Sequence, residues 1–374
     1  SMKESGVSEK EIYKIFKKPV EMKVFSWHGD IDTIMTPWDS IRYHKSFLRS
    51  GFAAIDPHNG HMKAYVGGID FRNFQYDMVN IGRRQIGSTI KPYLYSLAMI
   101  DGKTPCDEMM HVQQNIPLEN GKIWSPKNPQ IRVGEMVSIK WGLQKSDNWV
   151  TAWLMSQSSP QAFVRLLHSF GITGSIDAQM SLALGTCDVS VGEMVAAYTT
   201  FVNKGVRFSP MYVTRIEDAY GNVIANFTPE PLEVFDELTY VKMLDMLRAV
   251  VDGGTGSRLR SAHGLRMPMG GKTGTTQNNS DGWFMGFTPE LVAGCWVGGE
   301  DRSIHFDSTS QGQGAAMALP IFGLFMKKVY ADPKLGYNAQ KQFDKAEGNP
   351  SPCAGQLGGD EGEGNTQGID EIFN

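Results

Sequence analysis

The stretch GGKTGTTQNNSDGWFMGFTPELVAGCWVGG, residues 270–299, decides the fold of this chain. It contains three strand-like runs, 270–277, 281–288 and 291–299, separated by short turns, which is the pattern of consecutive antiparallel strands. Far earlier, residues 51–70 read GFAAIDPHNGHMKAYVGGID, where two apolar runs flank the turn signal PHNG and predict a β-hairpin. Strands are therefore expected near both ends of the domain.

Helical patterns dominate the sequence between these strands, from residue 88 to residue 203. A hairpin signal, DAYGN, lies within 206–230, and further helices are expected at 236–252 and 315–330. Strands at both ends with helices between them favour an α+β fold, with an antiparallel sheet flanked by helices and a helical lobe beside it. We predict that the first hairpin and the last strands share one sheet.

The composition shifts along the chain and predicts three parts. Residues 1–48 are a charged lead-in followed by a small linker module, and residues 49–335 form the main domain. Residues 336–374 form an acidic, glycine-rich tail that is expected to be disordered, because it has too little apolar surface to pack.

The overall composition is that of a globular protein and excludes some functions. The 374 residues are 41% hydrophobic and carry a formal net charge of −4, so there is no basic excess and nucleic acid is not expected as a partner. The longest apolar run, 315–326, is too short to span a bilayer and is interrupted by Pro320.

The cysteine spacing predicts no metal or redox site. No pair has C-x-x-C spacing, so we expect neither a metal nor a cofactor. The four cysteines are interpreted as buried apolar residues rather than disulfide partners, although the spacing leaves a bridge open; they are Cys106, Cys187, Cys295 and Cys353.

A candidate nucleophile lies in RRQIGSTIKPYLYSLAMIDG, residues 83–102, where Ser88 and Lys91 are three residues apart. The simpler interpretation is an ordinary helix start, because serine is a common N-cap residue. Gly87, however, lets the backbone adopt an unusual dihedral, and Pro92 fits only the first helical turn. A hydroxyl at a helix start lies in a positive potential, and a lysine one turn on that is buried becomes a possible base.

Two further motifs accompany this pair. Residues 146–148 are Ser-Asp-Asn, which alone could be a turn, and residues 272–275 are Lys-Thr-Gly-Thr, which alone could be an edge strand protected by lysine. Each pattern occurs once, in the order Ser-x-x-Lys, Ser-x-Asn, Lys-Thr-Gly. These three motifs together are the signature of penicillin-binding proteins and class A β-lactamases.

Over roughly residues 50–330 the chain resembles the transpeptidase domain of a class A, bifunctional penicillin-binding protein. The likeness extends to LALGTCDVSVGEMVAAYTTFVNKG and to 270–301, although Ile86 stands where many relatives have proline. The resemblance implies the serine β-lactamase and transpeptidase fold. It also implies a glycosyltransferase lobe and a membrane anchor in the native protein, neither of which is in this chain, and a location at the outer face of the bacterial cytoplasmic membrane.

The family resemblance implies a catalytic role for four side chains. Ser88 is the expected nucleophile and Lys91 its base, a function worth about 10²–10⁴-fold in rate. Ser146 is expected to relay a proton to the leaving D-alanine, and Lys272 to supply positive potential. The implied substrates are peptidoglycan stem peptides ending in D-Ala-D-Ala, with an amine as acceptor, and β-lactams are the implied inhibitors.

The remaining implied roles concern substrate binding. Asn148 is expected to bind the donor backbone, while the hydroxyls of Thr273 and Thr275 hold its carboxylate. Gly274 keeps the strand open so that the donor can lie alongside it. The backbone N–H groups of Ser88 and Thr275 are the expected oxyanion hole.

Three alternatives use the same site. A D,D-carboxypeptidase differs only in using water as acceptor, and a β-lactam sensor would be acylated once to signal. A β-lactamase is disfavoured because residues 179–190, QMSLALGTCDVS, contain no glutamate to activate water.

Overall fold

In the computed structural model, residues 2–354 are described, and the domain is built on one five-stranded antiparallel sheet with helices on both faces. The helices are α1 (Glu9–Phe16), α2 (Pro37–Ser46), α3 (Lys91–Ile100), α4 (Ile139–Lys145), α5 (Asn148–Ser156), α6 (Pro160–Ser169), α7 (Val191–Tyr198), α8 (Glu237–Gly253), α9 (Arg258–Ser261), α10 (Thr309–Gly312), α11 (Gly314–Met317) and α12 (Leu319–Ala331).

The strands are β1 (Val20–Val24), β2 (Ile31–Met35), β3 (Arg49–Ile55), β4 (Met62–Val66), β5 (Arg84–Gln85), β6 (Glu108–Met110), β7 (Ile116–Pro117), β8 (Ile123–Trp124), β9 (Met136–Ser138), β10 (Asp188–Val189), β11 (Val206–Phe208), β12 (Arg215–Glu217), β13 (Val223–Asn226), β14 (Pro231–Glu233), β15 (Gly270–Thr275), β16 (Asp281–Phe287) and β17 (Val292–Gly298).

The central sheet has the order β15-β16-β17-β3-β4, with every neighbouring pair antiparallel. The predicted sharing of one sheet by the first hairpin and the last three strands is therefore confirmed, as is the hairpin of β12 and β13. One expectation is wrong in part. The section expected to be helical also contains the short strands β6 to β9, which form two small hairpins after α3.

The two faces of the sheet bury different cores. On β3, Ala53 and Ile55 belong to the core shared with the helical lobe, whereas Phe52 and Ala54 belong to the core covered by α12. This alternation is the period of two that a strand imposes on its side chains. Because both faces are covered, β16 and β17 are buried along their whole length, which explains why they contain no charged residue except Asp281.

The first 48 residues contain two helices and the hairpin of β1 and β2. Ser8 and Glu11 form a capping box at the start of α1. Phe25, after the first strand, packs edge-on against Phe47 and Phe74, so aromatic contacts hold this segment to the start of the main domain.

The cysteine prediction is half wrong. Cys187 and Cys295 are free and buried, as expected, but Cys106 and Cys353 form a disulfide across 247 residues. Sequence spacing carried no sign of this pairing, because the two residues meet only after the lobe has folded.

The tail prediction is also wrong for its first part. Phe343 and Ala346 are buried, and the Tyr240 hydroxyl of α8 donates to the carbonyl of Asp344. Residues up to 354 therefore pack on the domain, and the disulfide holds them there. The rest of the predicted disordered tail, 355–374, lies outside the described residues. Within residues 2–354, no helix is both long and apolar enough to cross a membrane.

We predict that the disulfide stabilises the domain, because it closes a very long loop in the unfolded chain. Cys353→Ser should lower the free energy of unfolding by about 2–4 kcal/mol. Reductant should lower the stability of the wild type to the same level and leave the variant unchanged. Thiol titration of the unreduced, denatured wild type should find two thiols, and four would contradict the bridge.

Candidate active site

Ser88 lies in a short 3₁₀ turn, Gly87–Ile90, that leads directly into α3. Gly87 has a φ of +52°, and a Cβ there would lie 2.6 Å from the carbonyl oxygen of Thr275. The N–H of Gly87 donates to the carbonyl of Gly185. A Cβ added at Gly185 would lie 2.0 Å from the carbonyl oxygen of Gly87. Close backbone approach on both sides therefore requires glycine, and it places the serine beside the end of β15.

The Ser88 side chain is half-buried, and its hydroxyl forms no hydrogen bond with any residue in 2–354. Lys91, the expected base, makes its hydrogen bonds with residues 146–148 and none with Ser88. Hydrogen bonds between catalytic groups often form only when substrate binds.

Lys91, the first residue of α3, is completely buried among oxygen atoms of the Ser-Asp-Asn motif. Its Nζ donates to the Ser146 carbonyl at 2.7 Å, to Asn148 Oδ1 at 2.7 Å and to the Asp147 carbonyl at 3.3 Å. Burial lowers the pKa of Lys91 to about 7, and the negative charge of Asp147 partly opposes that shift. The amine is therefore near the middle of its titration at neutral pH.

Lys272, on β15 of the sheet, contacts the side chain of Ser146. Its Nζ donates to Ser146 Oγ at 2.8 Å and to the Thr273 carbonyl at 2.8 Å, while Lys91 Nζ lies 3.5 Å from that Oγ. Burial, and next the charge of Lys91, lower the pKa of Lys272 well below its usual value. The hydroxyl of Ser146 thus stands between two buried amines.

Ser146 adopts an uncommon backbone conformation to reach this position. It ends α4 in the left-handed region, with φ 57° and ψ 40°, which costs about 1–2 kcal/mol for a residue other than glycine. The Asp147 N–H donates to Gly142 and holds the turn closed. Such local strain is typical of functional sites.

A buried network behind the motif was missed by sequence reasoning. Asp147 Oδ1 caps the N-terminus of α5, and its Oδ2 accepts from Asn128 Nδ2 at 2.7 Å and lies 3.0 Å from His111 Nε2. Asn128 Oδ1 also accepts from the N–H of Asn148. The network holds the Ser-Asp-Asn turn rigidly, but its members are far apart in sequence and carry no shared signal.

Asn148 is engaged differently from the sequence expectation. Its Oδ1 accepts from Lys91, and its Nδ2 donates to the carbonyl of Lys127 at 2.8 Å. Only one amide hydrogen is left to bind a substrate, so in this structure the side chain chiefly orients the lysine.

The backbone of Thr275 faces the turn that carries Ser88. The N–H of Thr276 donates to Asp281, so the neighbouring pair, Thr275 and Gly282, is of the type without hydrogen bonds between the strands. The N–H and carbonyl of Thr275 consequently point away from β16, and β15 is the edge of the sheet. An N–H in this position is available to an oxyanion.

The threonine hydroxyls lie on the opposite side of β15 from Gly274, whose Cβ would meet Thr89 of the serine turn. Thr275 Oγ1 accepts from the N–H of Gly314 at 3.1 Å, so its own hydrogen is free to donate. Thr273 Oγ1 donates to Thr255 Oγ1 at 2.7 Å. Thr255 follows α8 and was not singled out from the sequence.

A comparison with protein families gives two matches. The model described as penicillin binding protein transpeptidase domain matches residues 51–295, which is more than half of the chain. The model described as penicillin-binding protein middle domain matches residues 1–48. The resemblance inferred from the three motifs is thereby confirmed.

Similar proteins carry names that agree with this match. Penicillin-binding protein 2D of Bacillus subtilis is 32% identical over 319 residues, covering 79% of this chain and 45% of that protein. Penicillin-binding protein 1A of Aquifex aeolicus is 32% identical over 283 residues, covering 75% and 38%. The chain thus spans less than half the length of these relatives.

Solved structures agree on the fold. Penicillin-binding protein 1A of Haemophilus influenzae has a TM-score of 0.72 at 23% identity, covering 79% of this chain and 49% of that one. PonA1 of Mycobacterium tuberculosis in complex with penicillin V has a TM-score of 0.68 at 18% identity, covering 96% of both chains. The predicted transpeptidase-like α+β fold is confirmed.

We predict that Gly87→Ala destabilises the domain by more than backbone strain alone. The left-handed φ costs an alanine about 1–2 kcal/mol, and the new Cβ would also collide with the Thr275 carbonyl. Gly121→Ala is the matched control, because Gly121 has a φ of +75° but open space around its Cβ position. In denaturant unfolding, Gly87→Ala should lose clearly more free energy than the control, and equal losses would contradict the close approach.

Proposed function

The chain belongs to the penicillin-binding protein transpeptidase family, and from this we propose that it cross-links peptidoglycan stem peptides as a D,D-transpeptidase with a serine acyl-enzyme. The observation that carries the proposal is the convergence of two buried lysines on Ser146, beside the turn that holds Ser88. Lys91, whose pKa is lowered to about 7, is suited to take and return a proton near neutral pH, and burial lowers the pKa of Lys272 as well.

In the proposed acylation, Ser88 Oγ attacks the carbonyl carbon of the penultimate D-alanine and its proton passes to neutral Lys91. The negative oxygen that develops is held by the N–H groups of Ser88 and Thr275. Each such donor is worth roughly 10²–10³-fold in rate. The peptide bond then breaks, and the leaving amine takes a proton through Ser146, supplied by the lysine pair. An acyl-serine and free D-alanine result.

In the second step, the amine of another stem peptide attacks the acyl carbon. The same lysine pair accepts its proton, the bond to Ser88 Oγ breaks, and the oxygen regains a proton. One ester bond is exchanged for one amide bond, so the reaction needs no cofactor. The terminal carboxylate of the donor is assigned to the hydroxyls of Thr273 and Thr275, and Thr273 must first turn its hydrogen away from Thr255 Oγ1 to bind it. Lys272 supplies positive charge when it holds the proton of the lysine pair.

β-Lactams are expected to acylate Ser88 and remain bound. Water would need an activating carboxylate, and the turn following residue 179 packs on the Ser88 turn without supplying one. Glu193, the next glutamate in the sequence, is occupied by Arg83, Thr173 and its own helix cap. This favours a penicillin-binding enzyme over a β-lactamase. The D,D-carboxypeptidase and sensor alternatives share the acylation step.

The wider setting is part of the proposal. Relatives named penicillin-binding protein 1A extend well beyond this chain. We therefore expect the native protein to carry a glycosyltransferase domain and to act at the outer face of the cytoplasmic membrane, where peptidoglycan is assembled.

Ser88→Ala should abolish covalent labelling by a fluorescent penicillin, because it removes the nucleophile but leaves the fold intact. Ser96→Ala is the matched control, since that hydroxyl bonds only to its own helix. Intact mass and peptide mapping of the wild type should place one adduct on Ser88 that persists for many minutes. Labelling of Ser88→Ala, or rapid turnover of a chromogenic cephalosporin, would refute the assignment.

We expect the acylation rate to rise with pH through about 7, because neutral Lys91 is the acting base and its pKa is lowered to about 7. The rate should increase about tenfold per pH unit well below 7 and level off above 8. Stopped-flow measurements between pH 5.5 and 8.5 give the acylation rate at each pH. Lys145 is exposed to solvent, so the control variant Lys145→Met should show the same pH profile as the wild type. A flat profile would mean that Lys91 does not titrate in this step.

Thr275→Val should slow acylation by carboxylate-bearing penicillins roughly 10–150-fold, the value of one hydrogen bond to a charged group. The backbone N–H is retained, so the loss reports the hydroxyl. An uncharged ester of the same penicillin is the matched ligand and should lose much less. Equal slowing with the penicillin and its ester would show that the hydroxyl does not bind the carboxylate. Thr275→Val also removes the acceptor of the Gly314 N–H, so thermal melting checks that the fold is still stable.

A further inference from the structure

A cavity of about 490 Å³ lies between the segment that follows β4, the start of β3 and the end of β17. None of the residues assigned to the reaction lines it. Its wall contains three arginines and one carboxylate: Arg49, Arg83, Arg84 and Glu300. The cavity is therefore a separate feature. Each of its arginines already has one carboxylate partner: Glu300 for Arg49, Glu193 for Arg83 and Asp281 for Arg84.

Arg84 is the most buried of these cations, with 9% of its surface exposed. Its Nε donates to Asp281 Oδ1 at 2.7 Å, its Nη1 donates to the Glu300 carbonyl at 3.2 Å, and its guanidinium lies over the ring of Trp296. Its Nη2 is buried and has no hydrogen-bond partner among residues 2–354.

Arg49 is arranged in a similar way. Its Nη2 pairs with Glu300 Oε2 at 2.9 Å, and its guanidinium stacks on Phe74 with 3.8 Å to the ring centroid. Its Nη1 is also buried without a partner in the described part of the chain. Two arginines on one cavity wall thus each keep an unused nitrogen.

Unpaired buried donors are costly, about 1–3 kcal/mol each and more for charged groups. Two of them beside one cavity therefore point to an acceptor that residues 2–354 do not supply. A carboxylate has two oxygens that match guanidinium donors. Both unused nitrogens are enclosed by protein atoms, so the two arginine side chains must turn toward the cavity when a carboxylate binds. Glu300 in the same wall disfavours a dianion such as phosphate. Phe74, Met78 and Trp296 add apolar surface for the body of a ligand.

We propose that this cavity is a second binding site, for a small carboxylate with an apolar or aromatic body. Arg49 and Arg84 bind the carboxylate, and the apolar wall contacts the rest. Arg84 is also the first residue of β5, which directly precedes the Ser88 turn. A carboxylate bound in the cavity would therefore contact the segment that leads to Ser88. The proposal rests on the cavity alone and stands whether or not the chain is a transpeptidase.

The test is calorimetric titration with N-acetyl-L-phenylalanine and with its uncharged amide. The acid should bind one site at least about tenfold more tightly than the amide, equally in wild type and in Ser88→Ala. Arg49→Gln should weaken binding of the acid by about tenfold or more. Arg302→Gln, which removes an equal charge from a residue outside the cavity wall that pairs with Asp188, should not.

Glu300→Gln provides a second variant in case Arg49→Gln folds poorly. Removing the one carboxylate of the wall should tighten binding of the acid and leave the amide unchanged. Any of four results would overturn the proposal. These are equal affinity for the acid and the amide, unchanged acid binding by a folded Arg49→Gln variant, weaker acid binding by Glu300→Gln than by the wild type, and tighter binding of inorganic phosphate than of the acid. Failure of penicillin labelling would bear only on the proposed function.

Discussion

The placement of two buried lysine amines against one hydroxyl is the interaction on which the rest of the site depends. A protonated amine is costly to bury without polar partners, so Lys91 and Lys272 require a dense set of oxygen acceptors. The chain supplies them mainly from its backbone, through the carbonyls of Ser146, Asp147 and Thr273. This explains why the Ser-Asp-Asn segment is strained, capped and held from behind, because a loose turn would leave the amines unpaired.

Holding those groups together requires both halves of the domain. Lys272 comes from the edge of the sheet, whereas Lys91 and Ser146 come from the helical lobe, and the two halves meet where backbone approaches backbone at Gly87. An edge strand with unpaired N–H groups is normally a liability. Here the open edge is the feature that leaves the Thr275 N–H available, so the sheet is left incomplete at the point where a substrate is proposed to lie.

The sequence predicted the parts of this arrangement that are local. The motif residues and the antiparallel order of β15 to β17 follow from spacing and turn signals within a few residues. What it missed depends on contacts between distant residues: Asp147 with His111, Thr273 with Thr255, and the bridge between Cys106 and Cys353. In each case the role of a common residue type depends on a neighbour that comes close only in the folded chain. Neither sequence segment contains a pattern that predicts the contact with the other.

The lysine pair also explains why a hydroxyl, rather than an amide or a methyl group, stands at position 146. Burial lowers the pKa of both amines, and the charge of Lys91 lowers that of Lys272 further, so the pair does not readily hold two extra protons at neutral pH. A hydroxyl can accept from the protonated amine and donate to the neutral one at the same time. In the proposed mechanism a proton therefore crosses between the helical lobe and the sheet through this hydroxyl, which lies 3.5 Å from Lys91 Nζ and 2.8 Å from Lys272 Nζ. An alanine at this position would keep the turn but would interrupt that route.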